Sequence, residues 1–256
     1  MRIKNFGWIA LVLALVACGS NADEFQDAGT DAGLDAGSDD GSDAGGDEGI
    51  QVPLPGWGEI SGECGELDDD EWLENSPFDF INHIDLGTAG FLYEELSPGG
   101  QEVYDDGNLG GSSIHSEIIA YEMLYRCELA ELLKTEGEIV YQDSGGKKTD
   151  ILLLIDERKV GVSVTRAFHY PPTEPYSVEE GVNLLRGKLE DVLISAANAS
   201  VEDAWERSML HVIAYNEQSA ESITLALAQL LAEEPAVLDQ TIVVVTVTDG
   251  DDDFVY

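Results

Sequence analysis

The sequence predicts an α/β domain, a mixed sheet with flanking helices, in the C-terminal part of a 256-residue chain. Three observations predict it. Beyond Ser113, segments with apolar residues at helical spacing alternate with short apolar runs of strand length. Two of those runs, Ile151–Ile155 and Ile242–Val245, are apolar throughout, as expected of strands covered on both faces. The order is helix, three strands, helix, strand, helix, strand, and such a string buries its apolar faces when helices cover a sheet.

Residues 55–112, rich in Gly, Pro, Asp and Glu, carry only short apolar islands (Trp57, Trp72-Leu73, Phe78–Ile81, Phe91–Tyr93) and read as an irregular wrap before a core at 113–256. The first helix spans 113–133: Ser112 or Ser113 caps it, Ser116 and Glu117 lie in its first turns, and Ile118, Tyr121, Tyr125, Leu129 and Leu132 form its apolar stripe. Gly137 ends the region, and strands follow at 138–142, 150–155 and 160–166. The polar segment Asp156–Lys159 reads as a turn, making the second and third strands a hairpin. In that register Ile155 faces Val160, Leu152 faces Ser163 and Asp150 faces Thr165. Alternation then places Asp150, Ser163 and Thr165 on one face, with the first helix packed over it. Pro171, Pro172 and Pro175 mark a loop, and the string closes with helix 177–197, strand 209–215, helix 219–233 and strand 241–248.

The opening of the chain carries a different signal. Arg2 and Lys4 precede an apolar run from Phe6 to Val16, too short to span a bilayer but long enough for a secretory segment, and Leu15-Val16-Ala17-Cys18 closes it. This tetrad resembles the lipobox of bacterial lipoproteins. The resemblance implies a signal peptide at 1–17, lipid chains on Cys18 that tie the protein to a membrane and, because Gly19 rather than Asp follows the cysteine, the outer membrane as destination. Residues 18–54 then form a tether: Asp27, Asp31, Asp35, Asp39, Asp43 and Asp47 each have a glycine two positions on. Almost no apolar side chain is present to offset the entropy of ordering this stretch. As a Gly-rich coil it spans roughly 35 Å, more with charge repulsion. Its spacing fits neither an EF-hand loop nor the nine-residue calcium repeat.

Charge and cysteines narrow the classes further. Residues 55–256 hold 42 acidic against 10 basic residues, a formal net charge of −32. Nucleic acid is therefore not a favoured partner, since its binders present a basic face and gain from counterion release. Polycationic partners or simple solubility are the easier readings, and no particular protein partner is indicated. With Cys18 lipidated, Cys64 and Cys127 remain, and in an oxidising compartment they read as a disulfide. No CxxC, Cys/His cluster or HExxH supports zinc, and no GxSxG, Walker loop or GxGxxG is present. His115, His169 and His211 are isolated and read as structural, and Asp249, Asp251 and Asp253 as a solvated tail.

Over about 113–248 the element order, with Glu117 on the first helix and Asp150 opening the second strand, resembles the PD-(D/E)XK superfamily of restriction-endonuclease-like proteins. The resemblance implies an α-β-β-β-α-β core plus an extra helix and strand, and Mg²⁺ held by Glu117 and Asp150. Where that family carries acid-x-Lys on the third strand, this chain has Ser163-Val164-Thr165 and then Arg166. Hydroxyls are poor Mg²⁺ ligands and do not replace a lysine that stabilises the attacking water. Some family members move the lysine to the following helix, which makes Lys188 the candidate and Arg186 its rival. The candidate catalytic set is Glu117, Asp150, Ser163, Thr165 and Lys188. Each residue also has a structural reading: Glu117 as a first-turn acid, Asp150 as a turn residue, Ser163 and Thr165 as ordinary strand residues, Lys188 on a solvated face. The expected function is a binding or interaction module on a degenerate nuclease-like domain. The rivals are a Mg²⁺-dependent phosphodiesterase using Glu117, Asp150 and Lys188, and a purely structural envelope protein.

Overall fold

In the computed structural model, residues 50–256 are described, except 75–77, 88–89, 110–112, 172–173, 239–240, 249–253 and 256. The expected signal peptide, Cys18, the expected tether up to residue 49 and the acidic run at 249–253 lie outside the described residues. The N-terminal half of the domain contains β1 (Glu59–Gly62), α1 (Asp69–Leu73), β2 (Phe78–Asp85), α2 (Pro98–Asp106) and α3 (Ile114–Glu128). Then follow β3 (Glu131–Thr135), β4 (Ile151–Ile155), β5 (Arg158–Ala167), α4 (Val178–Asn198), β6 (Arg207–Ala214), α5 (Glu217–Glu233) and β7 (Thr241–Val247).

These strands form one seven-stranded mixed sheet in the order β1-β2-β7-β6-β5-β4-β3. Neighbours among β2, β7, β6 and β5 pair parallel, whereas β1–β2, β3–β4 and β4–β5 pair antiparallel. Helix α3 covers one face, packing Ile118, Ile119 and Met123 with Ile151, Leu153, Val160, Val162, Met209 and Ile213. Helices α4 and α5 cover the other, packing Leu185, Leu189, Ile223 and Leu227 with Leu210, Val212, Val243 and Val245. Adjacent residues of β6 and β7 therefore enter opposite cores, which is why the Ile242–Val245 run is apolar at every position. The mixed α/β sheet expected from the sequence is the observed fold. Its α3-β3-β4-β5-α4-β6 order is the anticipated core, with α5 and β7 as the extra helix and strand.

Capping explains two of the helix starts. Ser177 and Glu180 form a capping box at α4, and the Asn216 side chain accepts from the Ser219 amide at α5. The disulfide between Cys64 and Cys127 is present, with Cα atoms 4.7 Å apart, and joins the segment after β1 to the end of α3.

Four expectations are corrected. Residues 55–112 are not an irregular wrap, because β2 lies inside the sheet beside β7, from Phe78 opposite Ile242 to His83 opposite Val247. Phe80 packs toward the α3 core and Ile81 toward the other, but Asp79, Asn82 and His83 interrupt the alternation in sequence. Second, α3 ends at Glu128 rather than 133, because Leu129 takes the left-handed conformation (φ 54°). The first strand is therefore 131–135 rather than 138–142, and only Tyr141 of the expected strand makes a bridge, to Ala199. Glu131–Lys134 has good helix formers, but pairing with β4 overrides local propensity.

The third correction concerns register. The hairpin turn is only Asp156-Glu157, both left-handed (φ 48° and 63°), so Ile155 faces Arg158 rather than Val160. This two-residue shift preserves the alternation but not the expected pairs. At its open end the ladder breaks: the Asp150 amide donates to Val162 O (3.0 Å), although Ile151 is the residue opposite Val162. Two residues thus oppose one, a bulge. Thr149 instead meets Ser163, Oγ1 to Oγ at 3.0 Å, and Asp150 is not the cross-strand neighbour of Thr165. Fourth, α3 packs on the valine face of β5. The register partners of Ser163 and Thr165 in β6 are Leu210 and Val212, which belong to the α4/α5 core, so these two residues lie on that opposite face.

Candidate functional site

The site begins with the loop after α2. Asn108 Nδ2 donates to Ser113 Oγ (2.6 Å) and to Glu117 Oε1 (3.1 Å), and Ser113 Oγ donates to the same carboxylate oxygen (2.9 Å). Ser113 therefore spends its hydroxyl on Glu117, and α3 starts without a side-chain cap. Glu117 is buried. Burial pushes its carboxyl up, the two hydrogen bonds pull it down, and the charge of Glu136 pushes it up again. Glu136 is itself held by the next loop residue, accepting from the Leu109 amide (2.9 Å).

Asp150 occupies the bulge before β4. Its Oδ2 accepts from the Val164 amide at 2.6 Å, so the side chain satisfies a backbone donor of β5. Burial first, then the charge of Glu117, pushes this carboxyl up to about 7. The Val164 amide and the Lys188 ammonium pull the other way, and Glu136 adds repulsion. Glu117, Asp150 and Lys188 thus share one electrostatic neighbourhood, which Glu136 joins. Arg186, the rival of Lys188, is committed elsewhere, bonding Glu234 through Nε and Nη2.

Ser163 and Thr165 do not join this group. The Ser163 hydroxyl pairs with Thr149, both residues are buried on the α4/α5 side, and Arg166 is drawn off to Val255 O (2.6 Å). On the third strand Ser163 is therefore paired with Thr149 and Thr165 is buried. What remains is two carboxylates, each with one oxygen engaged by a protein donor, beside an ammonium. Mg²⁺ is commonly held by one or two carboxylates with water completing its shell, so two carboxylates are the residue types such a cation takes. They do not reconstitute the acid-x-Lys element.

Asn108, Thr149 and Glu136 were not singled out in the sequence. Asn108 is one polar residue in a Gly-rich loop, and Thr149 gains its role only through the bulge. Elsewhere, Glu102, Asp106 and Glu138 have carboxylate oxygens within 4.8 Å of one another, an exposed acidic group able to take a metal. His211 is structural as expected: it is fully buried, Nε2 lies 2.8 Å from Thr246 Oγ1, and burial pushes the imidazole down to about 3. None of the described helices is long and apolar enough to cross a membrane.

No family model matches the chain. A Dictyostelium discoideum protein described as "AAC-rich mRNA clone AAC4 protein" is 36% identical over 157 residues, a match covering 58% of this chain and 21% of that protein. The chain thus spans about a fifth of that relative's length. Among solved structures, Pyrococcus furiosus SfsA in complex with Ca²⁺ is similar at a TM-score of 0.29 and 17% identity, over 53% of this chain and 56% of that one.

Proposed function

We propose that this protein is an exported lipoprotein, anchored to the bacterial outer membrane through Cys18, whose acidic nuclease-like domain is a binding module with a residual divalent-cation site at Glu117 and Asp150. The observation that carries the reading is a pair of acids, Glu117 on α3 held by Asn108 and Ser113 and Asp150 at the β4 bulge held by the Val164 amide, with hydroxyls already paired or buried on the third strand. A buried acid and a half-buried one that repel each other are relieved by a cation, whereas the missing acid-x-Lys removes the means to activate water. The anchor is supported by the basic start, the short apolar run and the Leu15–Cys18 tetrad. The net charge of −32 over 55–256 speaks against nucleic acid as the ligand.

A second reading, a Mg²⁺-dependent phosphodiesterase, is favoured by one feature: the charge of Lys188 on α4 pulls the Asp150 carboxyl down. Thermal melts of the full chain with and without Mg²⁺ or Mn²⁺ test the cation site. The expected result is a rise in melting temperature that Glu117→Gln and Asp150→Asn each abolish, because a ligand of the folded state alone stabilises it. No rise in the native chain refutes the site. Metal-dependent cleavage of DNA or RNA that Lys188→Met removes would replace the binding reading with the enzymatic one. Membrane fractionation of Cys18→Ala tests the anchor; unchanged retention with an unmodified N-terminus refutes it.

A further inference from the structure

Away from the Asp150 group, a cavity of about 240 Å³ opens between the loop after β5 and the first turn of α5. It lies beyond the C-terminal ends of the parallel strands β5 and β6, the edge where open α/β sheets receive ligands. His169, Glu174, Tyr176, Tyr215, Asn216 and Gln218 supply most of its wall, and among the described residues no lysine or arginine lines it.

The charge balance of this cavity is uneven. His169 stands between two carboxylates, with Nδ1 at 2.6 Å from Glu180 and Nε2 at 3.3 Å from Glu174. One imidazolium between two carboxylates leaves a negative charge. Glu180 is committed, since it also accepts from the Ser177 amide (2.9 Å) and hydroxyl (2.7 Å) in the α4 capping box. Among the described residues the Glu174 carboxylate makes only the longer contact, and its side chain is 65% exposed, so it is the carboxylate left for an incoming cation. Two features favour an anion instead, the His169 imidazolium and the α5 N-terminus. The first is held by its two acids; the second carries Glu217 in its first turn, and its Ser219 amide is already capped by Asn216. The remaining field is negative.

The walls suit a cation as well. Tyr176 is fixed from behind, its amide donating to Gln218 Oε1 (2.9 Å) while Gln218 Nε2 donates to its carbonyl (2.7 Å). Tyr215 packs edge-on against Phe168 at 5.4 Å. Tyr176 is buried in the α4/α5 core, so of the two lining rings the half-buried Tyr215 is the one able to meet an ammonium group through its quadrupole.

We propose that this cavity binds a primary ammonium group, with Glu174 as counter-ion and Tyr176 and Tyr215 as walls. A free polyamine and a lysine side chain of a protein partner present the same chemistry, and both suit a domain this acidic. Titration of the ¹⁵N-labelled full chain at low ionic strength with pentylammonium, cadaverine and Nα-acetyl-lysine methylamide tests it. All three are expected to shift the Tyr215, Asn216 and Gln218 amides. Glu174→Gln, at an exposed position, should weaken binding about tenfold, the loss expected for one charge-assisted contact, while Glu179→Gln should not. Tighter binding of cadaverine than of the blocked lysine assigns the site to polyamines; the reverse assigns it to a protein lysine. No shift at about 10 mM ligand, or shifts that Glu174→Gln leaves unchanged, overturns the proposal.

Discussion

Replacing Arg126 by Met should be among the costliest single changes in the domain. Glu122 on α3 is fully buried and accepts from the Ser97 amide and hydroxyl, both at 2.7 Å, and from Arg126 Nε at 3.0 Å. The rest of the guanidinium reaches the N-terminal segment: Nη1 donates to Pro55 O (2.7 Å) and Leu54 O (3.3 Å), and Nη2 to Glu95 O (3.1 Å). It also lies over the Trp57 ring, 5.6 Å from its centroid. Methionine preserves much of the stem volume but leaves Glu122 as a buried charge without its cation and three carbonyls without a donor. Breaking a buried pair from one side costs about 3–5 kcal/mol. In a domain of this size that corresponds to roughly 6–20 °C of melting temperature. Urea unfolding followed by tryptophan fluorescence measures it, with Trp57 as a local reporter. The double variant Glu122→Gln/Arg126→Met should recover at least ~1 kcal/mol of the summed single costs, because the second change removes the orphaned charge. A cost under ~1 kcal/mol for Arg126→Met, or singles that add within ~0.5 kcal/mol, would refute the claim that the pair acts as one unit.

Two further predictions follow from the same region. The disulfide closes a loop of sequence separation 63, so Cys64→Ser/Cys127→Ser should lower stability by ~4 kcal/mol in the chain-entropy description, read by denaturant unfolding; a loss below ~1 kcal/mol would show that the packing of α3 alone holds this segment. Glu128, pushed up to about 7 mainly by burial, is protonated in the folded chain at pH values where the unfolded chain has ionised it, so its contribution is full near pH 4 and is lost as pH rises through 7. Glu128→Gln should flatten that fall and stabilise the protein at pH 8 by on the order of 1–3 kcal/mol; an unchanged pH profile by thermal melts would refute the assignment.

Periodicity made the layers legible, and local chemistry hid the rest. The runs at Ile151–Ile155 and Ile242–Val245 announce buried strands because both faces of each are apolar. β2 gives no such signal, since Asp79, Asn82 and His83 interrupt its apolar residues and its partner lies some 160 residues on. The end of α3 was misplaced because a leucine, not a glycine, takes the left-handed cap, and Glu131–Lys134 favours helix until β4 is present. Counting four polar residues as the turn overlooked that Asp156 and Glu157 suffice with both φ positive. The acids of the candidate site were legible as types on the right elements. Their setting was not: the bulge that frees Asp150 from its ladder and gives Ser163 to Thr149 depends on hydrogen bonds that no spacing encodes.

The N-terminal segment, rather than the core alone, fixes the geometry on which the proposed cation site depends. α3 carries Glu117, and its outer end is tied by Cys127 to Cys64 and by Arg126 to Leu54, Pro55 and Glu95. At its inner end Asn108 and Ser113 hold the Glu117 carboxylate itself. All of these anchors lie before Ile114, the first residue of α3, most of them in the stretch that composition alone presents as an irregular wrap. Asp150, by contrast, is set by β5 through the Val164 amide. The two carboxylates therefore belong to separately supported halves, and loosening residues 54–108 should displace Glu117 while leaving Asp150 in place. Reduction of the disulfide should accordingly weaken any Mg²⁺-induced stabilisation without changing the hydrogen exchange of the Val164 amide. If cation response survives reduction undiminished, Glu117 is positioned by the sheet and not by its N-terminal ties.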